Sequence, residues 1–133
     1  EWLAALIVVD TSVLIAILQG EPEAEHFLEV LIGEPRCVLG APTKFEALLV
    51  AAKRPNGQAD INAFIGELGI KVIDWTDDHA SIASEAFLRF GKRRHKANLN
   101  FGDCMSYALA KSLNAPLLFK GDDFALTDIT SAL

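Results

Sequence analysis

Five acidic residues stand out in this 133-residue chain because of the residues around them. Asp10 ends a short apolar run, and Asp122 and Asp123 follow another apolar run near the carboxyl terminus. Asp103 lies in the first turn of a predicted helix, and Glu46 lies inside an apolar helical stretch. Carboxylates that meet repel one another, which raises the pKa of at least one of them. A divalent cation would remove that conflict.

The chemistry of such a cluster follows from its oxygen ligands. Carboxylate oxygens suit Mg²⁺ or Mn²⁺ rather than Zn²⁺. Sites of this kind commonly activate water and brace a phosphodiester for in-line displacement. Each acid also has a plainer interpretation: Asp10 and Asp103 could cap helices, Asp122 and Asp123 could shape a turn, and Glu46 could face solvent. The residue types alone leave both interpretations open.

The elements that must position these acids alternate along the chain. Short apolar runs predict strands at 5–9, 37–39, 71–74 and 116–119. Helical spacing and breakers predict helices from Asp10 to Gly20, at 21–32, from 41 onward, at about 60–68, from Thr76 to Phe90 and at 102–113. This alternation predicts a three-layer α/β/α sandwich with a mainly parallel sheet, as one domain over 1–133. Ligands of open α/β sheets bind beyond the carboxyl ends of the strands, where Asp10 and Asp122 lie.

The helical periodicity also predicts which apolar side chains face the core. The inward residues are expected to be Phe27, Leu28, Leu31 and Ile32 in the second helix, Phe45, Leu48, Leu49 and Ala52 in the third, and Ile82, Ala83, Ala86, Phe87 and Phe90 in the helix that ends at residue 90.

Composition excludes several classes of protein. Hydrophobic residues make up 51% of the chain and charged residues 23%, which excludes intrinsic disorder. No apolar run has the length of a membrane span, and the amino-terminal residues do not resemble a secretory signal. Cys37 and Cys104 lie far apart and are expected to be reduced, buried thiols of a cytoplasmic protein.

Charge is distributed unevenly. The formal net charge of −6 argues against general nucleic-acid binding, since phosphate contacts need clustered basic side chains. One basic block nevertheless occurs, formed by Lys92, Arg93, Arg94, His95 and Lys96. It could guide a phosphate-bearing substrate toward the acids, or it could be a solvated surface run.

Four blocks in order resemble one known family. They read VVDTSVLIA from residue 8, APTKFE from residue 41, NFGDC from residue 100, and LLFKGDDF from residue 117 followed by TDI from residue 127. The chain is similar in these blocks to PIN-domain ribonucleases, in particular to VapC-type toxins of type II toxin–antitoxin systems. The resemblance covers nearly the whole chain.

The resemblance implies an activity and partners. It implies a compact α/β/α endoribonuclease that hydrolyses RNA with Mg²⁺ or Mn²⁺, forms a homodimer and is inhibited by a cognate VapB-type antitoxin. Apolar residues of the first two helices (Leu14, Ile15, Ile17, Leu18, Phe27, Leu28 and Leu31) could form a groove for the antitoxin or could simply pack in the core. The dimer interface could lie within Asp60 to Phe90.

The resemblance also assigns site residues. Asp10, Glu46 and Asp103 match the family's core metal-site acids. Because the last block varies in length among relatives, either Asp122 or Asp123 could be the fourth catalytic and metal-binding acid. Asp122 is favoured, since one Gly after the strand leaves it nearest the sheet edge. Two hydroxyl residues follow the first acid and could lie near the metal or substrate, or could cap the next helix: Thr11 and Ser12.

Three other functions compete with this interpretation. A PIN-like regulatory or binding module would keep the fold without catalysis, although four intact acidic positions argue against it. A phosphatase of the haloacid dehalogenase type also begins with an Asp after a strand, but it needs a second Asp where this chain has Ser12. A DNA-directed nuclease could use the same ions.

Overall fold

The sheet consists of four parallel strands. The computed structural model describes residues 6–33 and 36–133. The strands, in the spatial order β3-β2-β1-β4, are β1 (Leu6–Val9), β2 (Arg36–Gly40), β3 (Lys71–Ile73) and β4 (Leu117–Leu118). All four predicted strands are confirmed, although residue 5 of the first lies outside the described residues. The continuous apolar character of β1 and β4 agrees with helices covering both faces of the sheet.

In these two described ranges, six helices and one short 3-10 helix connect and follow the strands. They are α1 (Thr11–Gln19), α2 (Ala24–Gly33), α3 (Ala41–Ala51), α4 (Gly57–Glu67), α5 (Asp77–Phe90), α6 (Phe101–Leu113) and the 3-10 helix (Phe124–Leu126). The predicted helices are present, but α2 begins at Ala24 rather than Glu21, and α4 begins at Gly57 rather than near Asp60.

The sheet separates two apolar cores. Ile7 and Val9 pack in one core with residues of α1 to α4, whereas Val8 packs in the other with residues of α5 and α6. The same alternation separates Leu39 from Val38 in β2. Successive side chains of a strand point to opposite faces, so the three layers follow from the strand period. The α/β/α prediction is therefore confirmed.

The third helix packs differently from the prediction. Phe45 and Leu49 are 61% and 54% exposed and Ala52 is exposed as well, so these inward predictions are wrong. Leu48, by contrast, is partly buried and packs against the core as predicted. The buried positions are Thr43, Ala47 and Ala51, spaced four residues apart along one face. Small side chains at this spacing let α3 approach its neighbours closely. Size at the contact, rather than hydrophobicity alone, decided which face is buried.

Two further inward predictions are wrong. Ile32 is 74% exposed and Phe87 is 39% exposed. Large apolar side chains of α3, α5 and α6 are instead at the surface, and we refer to this set as the apolar face: Phe45, Leu49, Phe87, Leu88 and Phe101. In α1 and α2, by contrast, the residues Leu14, Leu18, Phe27 and Leu31 are buried, which favours the core-packing interpretation of those helices.

Two other expectations can be compared with the described residues. Cys37 and Cys104 are buried and form no disulfide within the described residues, as predicted. Within 6–33 and 36–133, no helix is both long enough and apolar enough to cross a membrane.

Candidate active site

Asp10 lies where β1 passes into α1. Its side chain is 5% exposed, and it caps α1 by accepting a hydrogen bond from Ser12 N at 3.1 Å. The same oxygen, Oδ2, accepts a bond from Ser12 Oγ at 2.6 Å, and Oδ1 accepts one from Ser106 Oγ at 2.5 Å. The carboxylate therefore caps a helix, as the plainer interpretation held, and it is also tied to α6.

Glu46 turns from α3 toward the starts of α1 and α6. Its Oε1 accepts a hydrogen bond from Thr11 Oγ1 at 2.8 Å. A Cβ at position 102 would overlap the Glu46 carboxylate, so the side chain lies directly against Gly102. Burial raises the pKa of Glu46 and the charge of Asp10 adds to the increase, whereas the bond from Thr11 opposes it.

Asp103 is held at the start of α6 by a reciprocal cap. Asp103 N donates to Asn100 Oδ1 at 2.8 Å, and Asn100 N donates to Asp103 Oδ2 at 3.0 Å. Burial raises the pKa of Asp103 to about 6, and the charges of Asp10, Asp123 and Glu46 contribute to the increase against the bond from Asn100. Carboxylates from three separate elements and the carboxyl-terminal segment thus act on one another.

The two candidates for the fourth acid lie in the chain after β4. Asp122 and Asp123 are both exposed. Gly121 has φ +98°, a left-handed conformation that glycine adopts readily, and the 3-10 helix begins directly after Asp123. The charge of Asp123 acts on Asp103. This arrangement favours Asp123 over Asp122, whose role stays a prediction.

The two hydroxyl residues after Asp10 do not cap α1, because Asp10 does. That alternative for Thr11 and Ser12 is therefore wrong. The Thr11 hydroxyl binds Glu46, and Ser12 Oγ donates to Asp10 while accepting a hydrogen bond from Lys120 N at 2.9 Å. Ser12 thus links the end of β1 to the segment that follows β4.

Sequence reasoning missed Ser106 and Thr43. They are 1% and 2% exposed, and their hydroxyl oxygens are 3.5 Å apart beneath the acids. Ser106 follows Asp103 by three residues and so shares its face of α6, a spacing that could have singled it out. Its contact with Asp10 spans 96 positions of the sequence, which no local pattern encodes.

The donor set fits a hard divalent cation, although its atoms are not gathered into a ligand cage. Asp10, Glu46 and Asp103 offer carboxylate oxygens only, and they repel one another. In the described ranges, no three His, Cys, Asp or Glu side chains are arranged so as to hold a metal ion. Each carboxylate is instead tied to its own hydroxyl or amide donor. The ammonium group of the nearby Lys120 pairs with Glu21.

The basic block forms the loop between α5 and α6. Its five side chains are exposed, and the loop is closed by a bridge between Gly91 and Leu99. His95 Nδ1 accepts a hydrogen bond from Ala97 N at 3.0 Å, so that nitrogen is engaged inside the loop. The loop leads directly into Asn100, which caps the helix that carries Asp103. Because the loop directly precedes the helix that carries Asp103, it could take part in substrate binding, and that role stays a prediction.

Comparison with known proteins gives concordant results. The family model described as "PIN domain" matches residues 7–129. The chain is 43% identical to Ribonuclease VapC36 of Mycobacterium tuberculosis over 125 residues, covering 92% of this chain and 90% of that protein. It is 39% identical to Ribonuclease VapC of Mycolicibacterium smegmatis over 127 residues, covering 93% and 98%.

Solved structures share the fold. The crystal structure of M. tuberculosis VapC20, described as a Sarcin-Ricin loop cleaving toxin, matches with a TM-score of 0.76 at 19% identity, covering 95% of this chain and 98% of that one. VapBC2 from Rickettsia felis, bound to a DNA fragment from its promoter, matches with a TM-score of 0.75 at 14% identity, covering 95% and 96%. The chain belongs to the PIN-domain family, and within it to the VapC ribonucleases of toxin–antitoxin systems.

Proposed function

We propose that this protein is a Mg²⁺- or Mn²⁺-dependent endoribonuclease that hydrolyses RNA phosphodiester bonds in the cytoplasm and is inhibited by a VapB-type antitoxin. The observation that carries the proposal is that Asp10, Glu46 and Asp103, which come from three separate elements, lie close enough for their charges to act on one another. Burial and mutual repulsion raise the pKa of Asp103 to about 6. A fold that assembles like charges in this way is suited to binding a cation.

The acids that would hold the ion are Asp10, Glu46 and Asp103, with Asp123 in the fourth position and Asp122 as its alternative. When bound by such residues, Mg²⁺ or Mn²⁺ supplies Lewis-acid activation of water and offsets charge on the phosphodiester. The chain's own donors orient each of these carboxylates separately. Ser12 fixes the carboxylate of Asp10, Thr11 fixes that of Glu46, and Asn100 fixes that of Asp103.

RNA recognition is assigned to the basic loop. The exposed side chains of Lys92, Arg93, Arg94, His95 and Lys96 precede the cap of α6, so they can attract phosphates toward an otherwise acidic site. Replacing the four Lys and Arg residues together with Ala should weaken RNA binding and flatten its dependence on salt concentration. Unchanged binding and an unchanged salt slope would exclude this role.

A protein partner is supported by the solved relatives, which include VapBC complexes from Rickettsia felis and Salmonella typhimurium. We expect a VapB-type antitoxin to bind this chain and block its activity. RNA cleavage should stop when the cognate antitoxin is added in equal amount and should return when the antitoxin is removed by proteolysis. Cleavage that continues in a purified complex would contradict inhibition.

A homodimer is supported by the apolar face. Its members Phe87 and Leu88 lie in α5, inside the segment 60–90 in which the dimer interface is expected, and exposed apolar patches commonly mark protein contacts. Light scattering should give about twice the 14.4 kDa mass of the chain, and Leu88→Glu should reduce it to the monomer value. A monomeric mass for the unsubstituted protein would exclude the dimer.

The deciding experiment is cleavage of total cellular RNA by purified protein with Mn²⁺, with Mg²⁺ and with EDTA. Asp103→Asn controls for a contaminating ribonuclease, and Asp128→Asn is the matched control because Asp128 is an acid paired with Lys111. We expect discrete metal-dependent products from the unsubstituted protein and Asp128→Asn, and none from Asp103→Asn.

Three outcomes would overturn parts of the proposal. Identical products from Asp103→Asn would assign the cleavage to a contaminant. Equal cleavage of single-stranded DNA in a parallel reaction would replace the ribonuclease with a less selective nuclease. If no product forms, calorimetry with Mn²⁺ separates a working site from a binding module: absence of Mn²⁺ binding would favour the non-catalytic alternative.

A further inference from the structure

Ser106 occupies an unusual place for a helical serine. It is 1% exposed in the middle of α6, and its Oγ donates to Asp10 Oδ1 at 2.5 Å. Serine hydroxyls inside helices usually bond to a backbone carbonyl of their own helix or face solvent. Ser112 of the same helix does the former, donating to the carbonyl of Leu109 at 2.9 Å. The Ser106 hydroxyl instead crosses to the residue at the end of β1.

A second hydroxyl supports this contact. Thr43 Oγ1 lies 3.5 Å from Ser106 Oγ, and Thr43 precedes Glu46 by three residues on α3. A hydroxyl has one proton to donate, so Ser106, which donates to Asp10, can only accept from Thr43. The buried pair therefore connects the three elements that carry Asp10, Glu46 and Asp103.

The two carboxylate oxygens of Asp10 accept different numbers of hydrogen bonds. From the described residues, Oδ2 receives two hydrogen bonds, both from Ser12, whereas Oδ1 receives one, from Ser106. Each carboxylate oxygen has about two acceptor positions, so Oδ2 is filled and Oδ1 retains one. The bond from Ser106 fixes the direction of that remaining position.

We propose that Ser106 is a positioning residue that fixes the free acceptor position of Asp10 Oδ1 for a divalent cation. This inference rests on the proposed metal-dependent function. Donors behind metal-binding carboxylates typically contribute 10- to 100-fold to metal affinity or activity. A merely structural serine would instead influence the stability of the fold and leave metal affinity unchanged.

The test measures Mn²⁺ affinity of the full chain by isothermal titration calorimetry. Ser106→Ala removes the donor, and Ser106→Cys keeps a side chain of similar shape with a weak donor. Ser112→Ala is the matched control, since it deletes a serine hydroxyl from the same helix away from Asp10. The thermal midpoint of each variant in EDTA reports stability separately, and Ser106→Cys carries the test if Ser106→Ala does not fold.

We expect Ser106→Ala and Ser106→Cys to bind Mn²⁺ at least about tenfold more weakly, and Ser112→Ala to bind it as the unsubstituted protein does. RNA cleavage by the two Ser106 variants should need correspondingly more Mn²⁺ for half-maximal rate. Unchanged Mn²⁺ affinity in both Ser106 variants would overturn the positioning role while leaving the proposed function intact. Failure of the unsubstituted protein to bind Mn²⁺ would overturn both.

Discussion

Two aspartates near opposite ends of α6 have opposite environments. Asp128 accepts hydrogen bonds from Tyr107 Oη at 2.6 Å and Lys111 Nζ at 3.1 Å, and Arg89 lies 3.7 Å away. Burial raises the pKa of Asp128, but these bonds and positive charges outweigh it, and the pKa lies below its usual value. Asp103 has no such neighbour among its described contacts: backbone donation opposes burial and three negative charges, and its pKa rises to about 6.

The two environments differ in whether basic side chains of the protein neutralise the carboxylate. Asp128 joins the carboxyl-terminal segment to α5 and α6, and its charge is balanced by residues of the protein itself. The acids of the candidate site are oriented by neutral donors from Ser12, Ser106, Thr11 and Asn100, which fix a carboxylate without neutralising it. A carboxylate whose charge is neutralised by neighbouring basic side chains stabilises the fold. A carboxylate that is oriented by neutral donors alone is available to an external cation.

The largest expected contrast is in catalysis. Asp10→Asn keeps the size of the side chain and a good helix cap but removes the charge, so RNA cleavage should fall to the level of the EDTA control. Asp128→Asn should leave cleavage unchanged. Gel analysis of RNA products with both variants checks the contrast, and full cleavage by Asp10→Asn would show that Asp10 is not a site residue.

The second-largest contrast is expected in metal binding, which should depend on Asp103 and not on Asp128. An ion that binds only the folded state stabilises it by about 2.7 kcal/mol at a concentration 100 times its Kd. Mn²⁺ should therefore raise the melting temperature of the unsubstituted protein and of Asp128→Asn, but not that of Asp103→Asn. Thermal melts with and without Mn²⁺ provide the measurement. A rise that persists in Asp103→Asn would place the ion elsewhere.

The pH dependence of stability should have opposite signs in the two regions. Because the pKa of Asp103 is raised to about 6, the metal-free folded state binds more protons than the unfolded state between about pH 6 and its ordinary value of 3.8. Unfolding free energy should thus gain a contribution from Asp103 as pH falls through that window, and Asp103→Asn should remove it. The contribution of Asp128 to the unfolding free energy has the opposite pH dependence, because the pKa of Asp128 is lowered in the folded state. Its stabilisation is present above the ordinary pKa of 3.8 and is lost as pH falls through the lower folded pKa.

Urea unfolding in EDTA between pH 7 and pH 4.5 measures the Asp103 contribution as the difference between the unsubstituted protein and Asp103→Asn. The unfolding free energy of Asp128→Asn should be lower than that of the unsubstituted protein by an amount that does not vary over this range. A difference that stays constant with pH would show that the pKa of Asp103 is not raised in the folded state.

The smallest effect is expected from removal of the Tyr107 hydroxyl, which donates a hydrogen bond to Asp128. Tyr107 is 3% exposed, and Tyr107→Phe removes its hydrogen bond to Asp128 while keeping the ring. Stability should fall by about 1 kcal/mol, a typical net value for one hydrogen bond. Mn²⁺ affinity should not change. A loss of Mn²⁺ affinity in this variant would show that the two regions are not independent.

Local patterns predicted the elements well because their causes are local. An apolar β-branched run specifies β1, and Asp10 and Asn100 precede helices whose first amides they cap. The buried face of α3 was harder to predict. Phe45 and Leu49 satisfy helical periodicity as well as Ala47 and Ala51 do, and only the close approach of neighbouring helices selects the small residues.

The sequence by itself determined the alternating α/β order and the placement of Asp10 at a strand end, of Glu46 within a helix and of Asp103 in the first turn of another helix. These features depend on residues within a few positions of one another. Tertiary structure decided that Asp123 acts on Asp103, that Thr11 serves Glu46 and that Ser106 reaches Asp10. Such contacts join residues from separate elements, and their geometry exists only once the sheet has brought β1, α3 and α6 together.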